Sequence, residues 1–359
     1  MDTGRIILDL APTSANPRNS EGSFIRMPTG EIAFAYSRYR DGLEDGSTCD
    51  LAVIFSTDEG ETFSKERVFL TCEECGAANI MSVSLLSLKN GNIGVFYLKK
   101  EGRNCRLFMR ETRDFITLSK EYYCMEREGY FVVNNDRVRR LSDGSILYAT
   151  AYTPMEVEDQ YLHLPDWWRY SKIGPAVAEF YQSTDEGRSF QKIGECEMPY
   201  ALFRTGLQEP GFEELDDGHL YAYFRNDSGR QFESYSSDKG RTWTTPAPSR
   251  FTSPISPMST HRLLDGRILY VYNPAPLYFG RSESPYGVWT GGRTPFVYTF
   301  SDGNGGDFED ITVFEDADDR GFCYCAIFET DDGILLGYCA GGSEDGNALA
   351  RLRIRKLYK

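Results

Sequence analysis

The chain has 359 residues, a formal net charge of −15, 40% hydrophobic and 14% aromatic residues, and 34 glycines. The negative charge argues against a nucleic-acid or an anionic-membrane partner, since polyanions would be repelled. No apolar run approaches the length of a membrane-spanning helix, and no basic segment followed by an apolar run marks a signal peptide. The nine scattered cysteines and the missing signal peptide predict a reduced, cytoplasmic setting.

One strand pattern recurs six times: an apolar strand, a turn that contains glycine, and a second apolar strand that ends in aromatic or small residues. The copies are Pro28–Tyr36, Lys89–Tyr97, Ser142–Tyr148, Asp216–Tyr223, Leu264–Tyr272 and Asp331–Tyr338. Asp-Gly and Asn-Gly turns favour tight hairpins because their residues must adopt positive φ. Six hairpins predict an all-β fold, a six-bladed β-propeller in which each hairpin supplies the two inner strands of a blade. Residues 1–359 are predicted to form this single domain.

A second motif, S-x-D-x-G-x-[ST]-[FW], lies between some of the hairpins. Its copies are Ser56–Phe63, Ser183–Phe190 and Ser236–Trp243, with a degenerate copy from Ser301 to Phe308. The aspartate can accept N–H bonds across a turn, the glycine supplies an unusual φ, and the aromatic residue packs into the blade. This motif is the aspartate box, and its aspartates are predicted to be structural.

Two further features leave alternatives open. Cys72 and Cys75 have the C-x-x-C spacing of a zinc or redox site, but no second pair and no nearby histidine accompany them. A pair of free thiols in a loop is therefore favoured, and no metal or cofactor is predicted. Trp167 and Trp168 form either a stacking platform for a sugar or the cover of a blade edge.

Polar residues precede each hairpin, where the innermost strand of a propeller blade opens toward the central axis. These openings are Arg18–Glu21, Asn79–Ser84, Asn134–Arg137, Gln208–Glu209, Ser256–His261 and Tyr324. Polar clusters beside apolar strands are not what a core needs, so they predict a functional pocket.

On these boxes and strand openings the chain resembles the sialidase superfamily, closest to the bacterial BNR-repeat glycosyl hydrolases, over nearly its whole length. The resemblance implies an exo-acting glycoside hydrolase that releases a terminal acidic sugar, sialic acid or a relative, with retention and without a cofactor. In that family three arginines grip the substrate carboxylate, a Tyr–Glu pair supplies the nucleophile, and an aspartate is the general acid/base. A neutral tyrosine avoids the repulsion that a carboxylate nucleophile would meet at such an anomeric carbon.

The resemblance implies a catalytic role for three residues: Tyr324 as nucleophile, Glu209 as the base that activates it, and Asp45 as acid/base. Asp45 has the best spacing from the first box, and Asp41, Glu44 and Asp50 compete with it for the role. The implied substrate-binding residues are Arg18, Glu21, Arg38, Asn135, Asp136, Arg137, Arg225 and Arg293.

The first blade departs from the family pattern. The Arg-Ile-Pro sequence is absent, Arg18 stands further from its hairpin than the family's register, and Glu21 disfavours an anionic substrate group unless it pairs with arginine. This departure keeps two alternatives open: a hydrolase of the same fold that acts on a neutral or uronic sugar, and a non-catalytic carbohydrate-binding propeller. In every case the predicted partner is a glycan or oligosaccharide.

Overall fold

The computed structural model describes residues 3–102, 104–154, 175–199, 205–276 and 290–359. The chain is all-β, as the hairpin pattern predicts, with a short 3₁₀ helix at Ser343–Asp345. Among the described residues, no helix has the length and apolar content that crossing a membrane requires.

Consecutive strands pair into antiparallel meanders, and the six predicted hairpins each join two neighbouring antiparallel strands. The N-terminal strand is β1 (Arg5–Leu10). The first meander contains β2 (Arg18–Arg26), β3 (Ile32–Tyr39), β4 (Cys49–Ser56) and β5 (Arg67–Leu70). The second contains β6 (Asn79–Ser87), β7 (Ile93–Glu101), β8 (Asn104–Thr112) and β9 (Tyr122–Tyr123). The third contains β10 (Tyr130–Val132), β11 (Arg139–Arg140), β12 (Ile146–Thr153), β13 (Val177–Ser183) and β14 (Gln191–Cys196).

The second half of the chain repeats the arrangement. The fourth meander contains β15 (Gln208–Glu214), β16 (Leu220–Arg225), β17 (Arg230–Ser236) and β18 (Ala247–Thr252). The fifth contains β19 (Ser259–Arg262), β20 (Ile268–Tyr272), β21 (Phe296–Ser301) and β22 (Thr312–Glu315). The sixth contains β23 (Cys323–Glu329), β24 (Gly333–Cys339) and β25 (Leu352–Tyr358), and β1 completes it by pairing with β25.

Hydrogen bonding groups these strands into four sheets within the described residues. The first three meanders share one sheet because short parallel bridges, Cys49 with Asn79 and Cys105 with Tyr130, connect them. The fourth, fifth and sixth meanders are separate four-stranded sheets.

Apolar clusters fill the space between successive meanders. Ile25, Leu51 and Val95, for example, pack the first meander against the second, and other clusters join each meander to the next. A further cluster, which includes Phe34 and Leu335, packs the first meander against the sixth. The core is therefore distributed between the meanders, which leaves the openings of their first strands free to carry polar residues.

The three complete S-x-D-x-G motifs form the same turn. In the first, Ser56 Oγ accepts a bond from Gly60 N at 2.9 Å, and Asp58 accepts one from Thr62 N at 2.9 Å. The copies at 183–189 and 236–242 repeat both bonds. Each aspartate is thus bound within its own turn, at the surface of the protein.

Candidate functional site

The first strands of four meanders share an unusual backbone near the point where each strand begins. β2, β6, β15 and β23 each contain a register shift, and at each shift a residue other than glycine has positive φ. These residues are Glu21, Ser82, Glu209 and Tyr324, with φ values of 55°, 55°, 43° and 58°. Such conformations cost of order 1–3 kcal/mol each, and bulges re-aim the side chain that they carry. The same local device therefore turns four side chains toward one place.

That place is a cavity of about 360 Å³, a volume in the range of small-molecule sites. Polar and charged residues form much of its wall, and some apolar residues, including Met81 and Leu98, complete it. The polar, charged and tyrosine residues of the wall are Glu21, Asp45, Ser82, Lys100, Tyr130, Asn134, Thr153, Gln208, Glu209, Arg225, Arg293 and Tyr324. Of the predicted site residues, the structure thus brings together Glu21, Asp45, Glu209, Arg225, Arg293 and Tyr324.

Tyr324, Glu209 and Arg225 are in direct contact. The Tyr324 hydroxyl donates a hydrogen bond to Glu209 Oε1 at 2.9 Å, and Arg225 Nη1 lies 2.6 Å from the same carboxylate oxygen. Arg225 Nη1 also lies 3.5 Å from the Tyr324 hydroxyl. A buried phenol thus faces both a proton acceptor and a cation.

Arg293 approaches the same phenol from its ring. Its guanidinium carbon lies 5.3 Å from the Tyr324 ring centroid, within cation–π range. Arg293 Nη1 donates to Cys323 Sγ at 2.9 Å, and Nη2 donates to the Ile255 carbonyl at 3.3 Å. These bonds fix the guanidinium at the cavity wall beside β23.

The electrostatics keep the phenol protonated at rest. Burial and the Glu209 carboxylate raise the pKa of Tyr324, although Arg293 and Arg225 act against that rise. The same two cations would stabilise a phenolate once the proton has moved to Glu209. The arrangement can therefore form a nucleophile when a proton is transferred, without holding a permanent anion.

The opposite wall holds a second group of charges. Arg18 Nη1 donates to Asp45 Oδ1 at 2.7 Å, and Arg18 Nη2 lies 3.2 Å from Glu21 Oε1. The Arg18 guanidinium is stacked on the Tyr39 ring at 4.3 Å and is only 1% exposed, so it lies behind the cavity wall. Arg18 is therefore engaged by its two neighbouring carboxylates and is not directed at the cavity.

The two carboxylates on this wall differ in environment. Asp45 has a side chain that is 59% exposed, whereas that of Glu21 is 4% exposed. Burial raises the pKa of Glu21, and the Arg18 guanidinium offsets part of this rise. Partial burial acts to raise the pKa of Asp45, but Arg18 and Lys100 hold it below its ordinary value. Asp45 is therefore a resting carboxylate at the rim.

Arg38, also predicted to bind substrate, does not reach the cavity. It lies on β3, and its Nε donates to Glu66 Oε1 at 3.1 Å on the outer side of the first meander. The alternation of side chains along a strand explains this orientation, which hairpin spacing alone does not predict.

Asn135, Asp136 and Arg137 hold the meanders together beneath the cavity. Asn135 Nδ2 donates to the carbonyls of Gly22 and Tyr324, at 2.7 and 3.2 Å. Asp136 Oδ1 accepts a bond from Ser23 Oγ at 2.8 Å, and its Oδ2 accepts one from the Ile327 amide at 3.3 Å. Arg137 donates to the Tyr223 hydroxyl and the Met258 carbonyl. These three side chains were predicted to contact substrate. In the structure they are instead hydrogen-bonded to other parts of the chain.

Three polar cavity residues lie outside the predicted catalytic and substrate-binding residues, although Asn134 and Ser82 belong to strand openings that predict the pocket. Asn134 precedes the segment just described; its Oδ1 accepts a bond from the Asn135 amide, and among the described residues its Nδ2 has no partner. Ser82 lies at the β6 bulge and donates to Glu21 Oε2. Lys100 near the end of β7 donates to the Asp45 carbonyl at 2.8 Å. A basic residue at the end of a hairpin's second strand, as at Arg225, is the signal that could have identified Lys100.

The remaining predicted features lie elsewhere. Cys72 Sγ accepts a bond from Arg40 Nη2 at 3.3 Å, and the Cys75 thiol donates to the Tyr97 hydroxyl at 3.6 Å. Both cysteines are free and buried. Trp167 and Trp168 lie outside the described residues.

Comparison with known proteins gives one family and a shared fold. The model of the BNR repeat-like domain matches residues 137–336. No curated protein matches the chain.

Three solved structures share the fold over 99% of this chain. A protein of unknown function from Dyadobacter fermentans has a TM-score of 0.71 at 15% identity, and all of that chain is covered. The NanB sialidase from Streptococcus pneumoniae has a TM-score of 0.69 at 12% identity, with 71% of that chain covered. The α-L-arabinanase of Penicillium chrysogenum, complexed with arabinobiose, has a TM-score of 0.59 at 13% identity, with 97% of that chain covered. At these identities the likeness concerns the fold alone.

Proposed function

The chain belongs to the BNR repeat-like family, and from that premise we propose that it is an exo-acting glycoside hydrolase that releases a terminal acidic sugar with retention. The observation that carries the proposal is the Tyr324–Glu209 hydrogen bond of 2.9 Å, flanked by Arg225 and Arg293 in one cavity. A tyrosine nucleophile suits a sugar whose anomeric carbon bears a carboxylate, because a neutral nucleophile is not repelled.

The fold that we propose is a six-bladed β-propeller in one domain. Each meander would be a blade, and two features support this arrangement. Apolar clusters join successive meanders and also join the sixth to the first. The four inner-strand bulges all face one cavity. A ring closed by the pairing of β1 with β25 explains both features, because the inner strands of a closed ring meet at the axis.

The proposed reaction begins with attack by Tyr324. Its hydroxyl proton moves to Glu209 while the phenolic oxygen bonds to the anomeric carbon and the bond to the leaving group breaks. Arg225, 3.5 Å from the hydroxyl, stabilises the negative charge that develops there. Water then attacks the same carbon, the Tyr324 oxygen leaves and takes back its proton from Glu209, and two inversions give retention.

Asp45 is the acid/base of this proposal. Its exposed position at the cavity rim suits contact with a leaving group that extends to solvent. As a resting carboxylate it can accept a proton from the water of the second step, but it must be protonated for the first step. The lowered pKa of Asp45 therefore predicts that glycosides with poor leaving groups are cleaved faster as the pH falls.

A second candidate is a hydrolase of the same fold that acts on a neutral or uronic sugar. The observation that favours it is the engagement of Arg18 with Glu21 and Asp45, which leaves two arginines, Arg225 and Arg293, on the part of the cavity wall that the structure describes. With fewer cations, an anionic sugar gains less on binding, and a carboxylate on the wall disfavours it.

A panel of fluorogenic glycosides separates these functions. The acidic-sugar proposal predicts turnover of a sialoside, and loss of this turnover in Tyr324→Phe and Glu209→Gln proteins that keep their circular dichroism spectra. Turnover of an arabinoside, a neutral hexoside or a glucuronide, with none of the sialoside, would establish the second candidate. No turnover of any glycoside, together with glycan binding that survives both substitutions, would identify a carbohydrate-binding protein instead.

A further inference from the structure

On the cavity wall formed by Glu21 and Asp45, which we call the β2 wall, one cation, Arg18, pairs with both carboxylates. Arg18 lies 3.2 Å from Glu21 and 2.7 Å from Asp45, and both carboxylates line the cavity. One guanidinium can balance only one carboxylate charge, and the Lys100 ammonium acts on Asp45, so Glu21 is the acid whose charge is only partly compensated when both acids are ionised. When like charges share a site, the proton affinity of at least one of them rises.

The structure indicates which of the two acids takes the proton. Asp45 is exposed to water and has the shorter bond to Arg18, and the Lys100 ammonium bonds its carbonyl. Glu21 is buried, has the longer contact with Arg18, and shares its other oxygen with the neutral Ser82 hydroxyl. Desolvation disfavours the charged form of Glu21 most, in agreement with the raised pKa of this group.

An anionic sugar in the cavity would add a further negative charge. In the proposed function its carboxylate binds to Arg225 and Arg293, and Glu21 lines the same cavity. The electrostatic influence of Glu21 extends to Tyr324, and that of Glu209 extends to Glu21, so the two walls are within Coulomb range of each other. A bound anion therefore increases the affinity of Glu21 for a proton, and by linkage a proton on Glu21 increases the affinity for the anion.

We propose that Glu21 is the specificity-determining residue of the cavity, because it takes up one proton from solvent when an anionic sugar binds. The inference rests on the proposed acidic-sugar function. In its ionised form Glu21 repels an acidic sugar, and in its neutral form it admits one and can donate a hydrogen bond to it. The cavity therefore selects acidic sugars at low pH and loses this preference as the pH rises through the titration of Glu21.

The titration of Glu21 depends on groups from several strands. Ser82 binds the Glu21 carboxylate directly from β6. The charged or titratable groups that interact with Glu21 include Arg18, Tyr39, Asp45, Cys49, Cys105, Glu209, Tyr324 and Cys339. The cations Lys100, Arg225 and Arg293 line the same cavity, but Arg18 is the one that contacts Glu21, and it is shared with Asp45.

Calorimetry can count the proton. The probe is the didehydro-deoxy analogue of N-acetylneuraminic acid, a non-hydrolysable acidic sugar, titrated into the full chain in two buffers of different ionisation enthalpy. We expect the wild type to take up nearly one proton per bound probe on the acid side of neutrality, with affinity falling as the pH rises. Glu21→Gln should take up almost none and bind with an affinity that hardly depends on pH.

Three further variants separate this proposal from structural effects. Asp45→Asn should keep the proton uptake but move it to lower pH, because the Asp45 charge that raises the pKa of Glu21 is then absent. Glu179→Gln replaces another buried, arginine-paired glutamate, 2.7 Å from Arg127 and outside the cavity, and should behave as wild type. Ser82→Ala removes a bond that favours the ionised form of Glu21, so its uptake should extend to higher pH.

Each other outcome has a definite meaning. Probe binding by wild type without proton uptake, or uptake that disappears in Asp45→Asn and persists in Glu21→Gln, overturns the role of Glu21 and leaves the proposed function intact. Failure of the wild type to bind the probe at any pH contradicts the acidic-sugar function, and the inference about Glu21 with it. If Glu21→Gln is misfolded by circular dichroism, the displaced pH range of Ser82→Ala decides the matter.

Discussion

The two charged walls of the cavity use arginine in opposite ways. On the β15–β23 wall, Arg225 and Arg293 flank a phenol and a single carboxylate, so positive charge is directed at the place where a nucleophile would form. On the β2 wall, Arg18 is buried behind two carboxylates and is balanced by them. Both walls are built from strand openings with a positive-φ bulge, at Glu21 on one and at Glu209 and Tyr324 on the other.

The difference shows that the same positive-φ bulge can place side chains in two different electrostatic environments. The bulge determines where a side chain points, whereas its partners determine what it does. Glu209 faces a phenol proton, and Glu21 faces a hydroxyl and a shared guanidinium. In our proposals, the β15–β23 wall carries out catalysis and the β2 wall selects the sugar.

The largest expected effect tests the catalytic wall at its centre. Tyr324→Phe removes the proposed nucleophilic oxygen and should lower kcat for a fluorogenic sialoside by roughly 10³-fold or more. Tyr338→Phe is the matched control, because the Tyr338 hydroxyl donates to Glu315 at 2.6 Å in a similar buried pair outside the cavity. Equal loss in both variants would mean that the loss reflects folding and not chemistry.

The next effect tests the rim of the β2 wall. Asp45→Asn removes the proposed acid/base and should slow glycosides with poor leaving groups by about 10²-fold, with a smaller effect on activated aryl glycosides. The pH dependence should also change, since the acid-side rise in rate depends on protonating Asp45. Comparing kcat/KM for a natural disaccharide and an aryl glycoside across pH checks this. A uniform loss for both substrates would assign Asp45 a structural role.

A smaller effect distinguishes arginine that binds substrate from arginine that only packs. Arg293→Lys replaces a planar fork by a single ammonium and should raise KM for an acidic sugar roughly 10- to 100-fold, the size of a lost charge-assisted hydrogen bond. Arg250→Lys is the control, since Arg250 stacks on Phe308 at 4.0 Å outside the cavity. An unchanged KM in Arg293→Lys would place the substrate anion elsewhere.

The smallest effect lies far from both walls. Thr242, through its hydroxyl and its amide, holds the pKa of Asp238 at about 2. Asp238→Ala should lower Tm by roughly 2–4 °C at neutral pH and leave kcat unchanged. Because the folded-state pKa lies below the unfolded one, the contribution of Asp238 is present above about pH 4 and is lost as the pH falls toward about 2. Thermal melts of wild type and variant should therefore converge in acid.

The sequence predicts the catalytic wall better than the β2 wall, for physical reasons. Asp-Gly and Asn-Gly turns mark the hairpins and so locate the strand openings at Glu209 and Tyr324 by spacing, whereas Arg225 and Arg293 were predicted from the resemblance to the sialidase superfamily. Whether these four residues then line one cavity depends only on how the meanders are arranged. The all-β character and the hairpins could be predicted in the same way.

The β2 wall depends on contacts between residues far apart in sequence. Whether Arg18 points at a ligand or at Asp45 is decided by a loop 27 positions away, and Ser82 reaches Glu21 across 61 positions. Positive φ at Glu21 or Ser82 has no sequence signal, because neither residue type favours it. The segment Asn135–Arg137 was likewise recognisable as polar, but its bonds to several strands become visible only once those strands surround it.

Trapping of the covalent intermediate tests the proposed chemistry most directly. The full chain would be incubated with difluorosialic acid, digested, and examined by mass spectrometry. The proposal predicts one sialosyl adduct on the peptide that contains Tyr324, formed as fluoride leaves, and none in Tyr324→Phe or in protein saturated with the didehydro analogue. An adduct on a carboxylate residue, or turnover of a sialoside with no adduct at Tyr324, would contradict it.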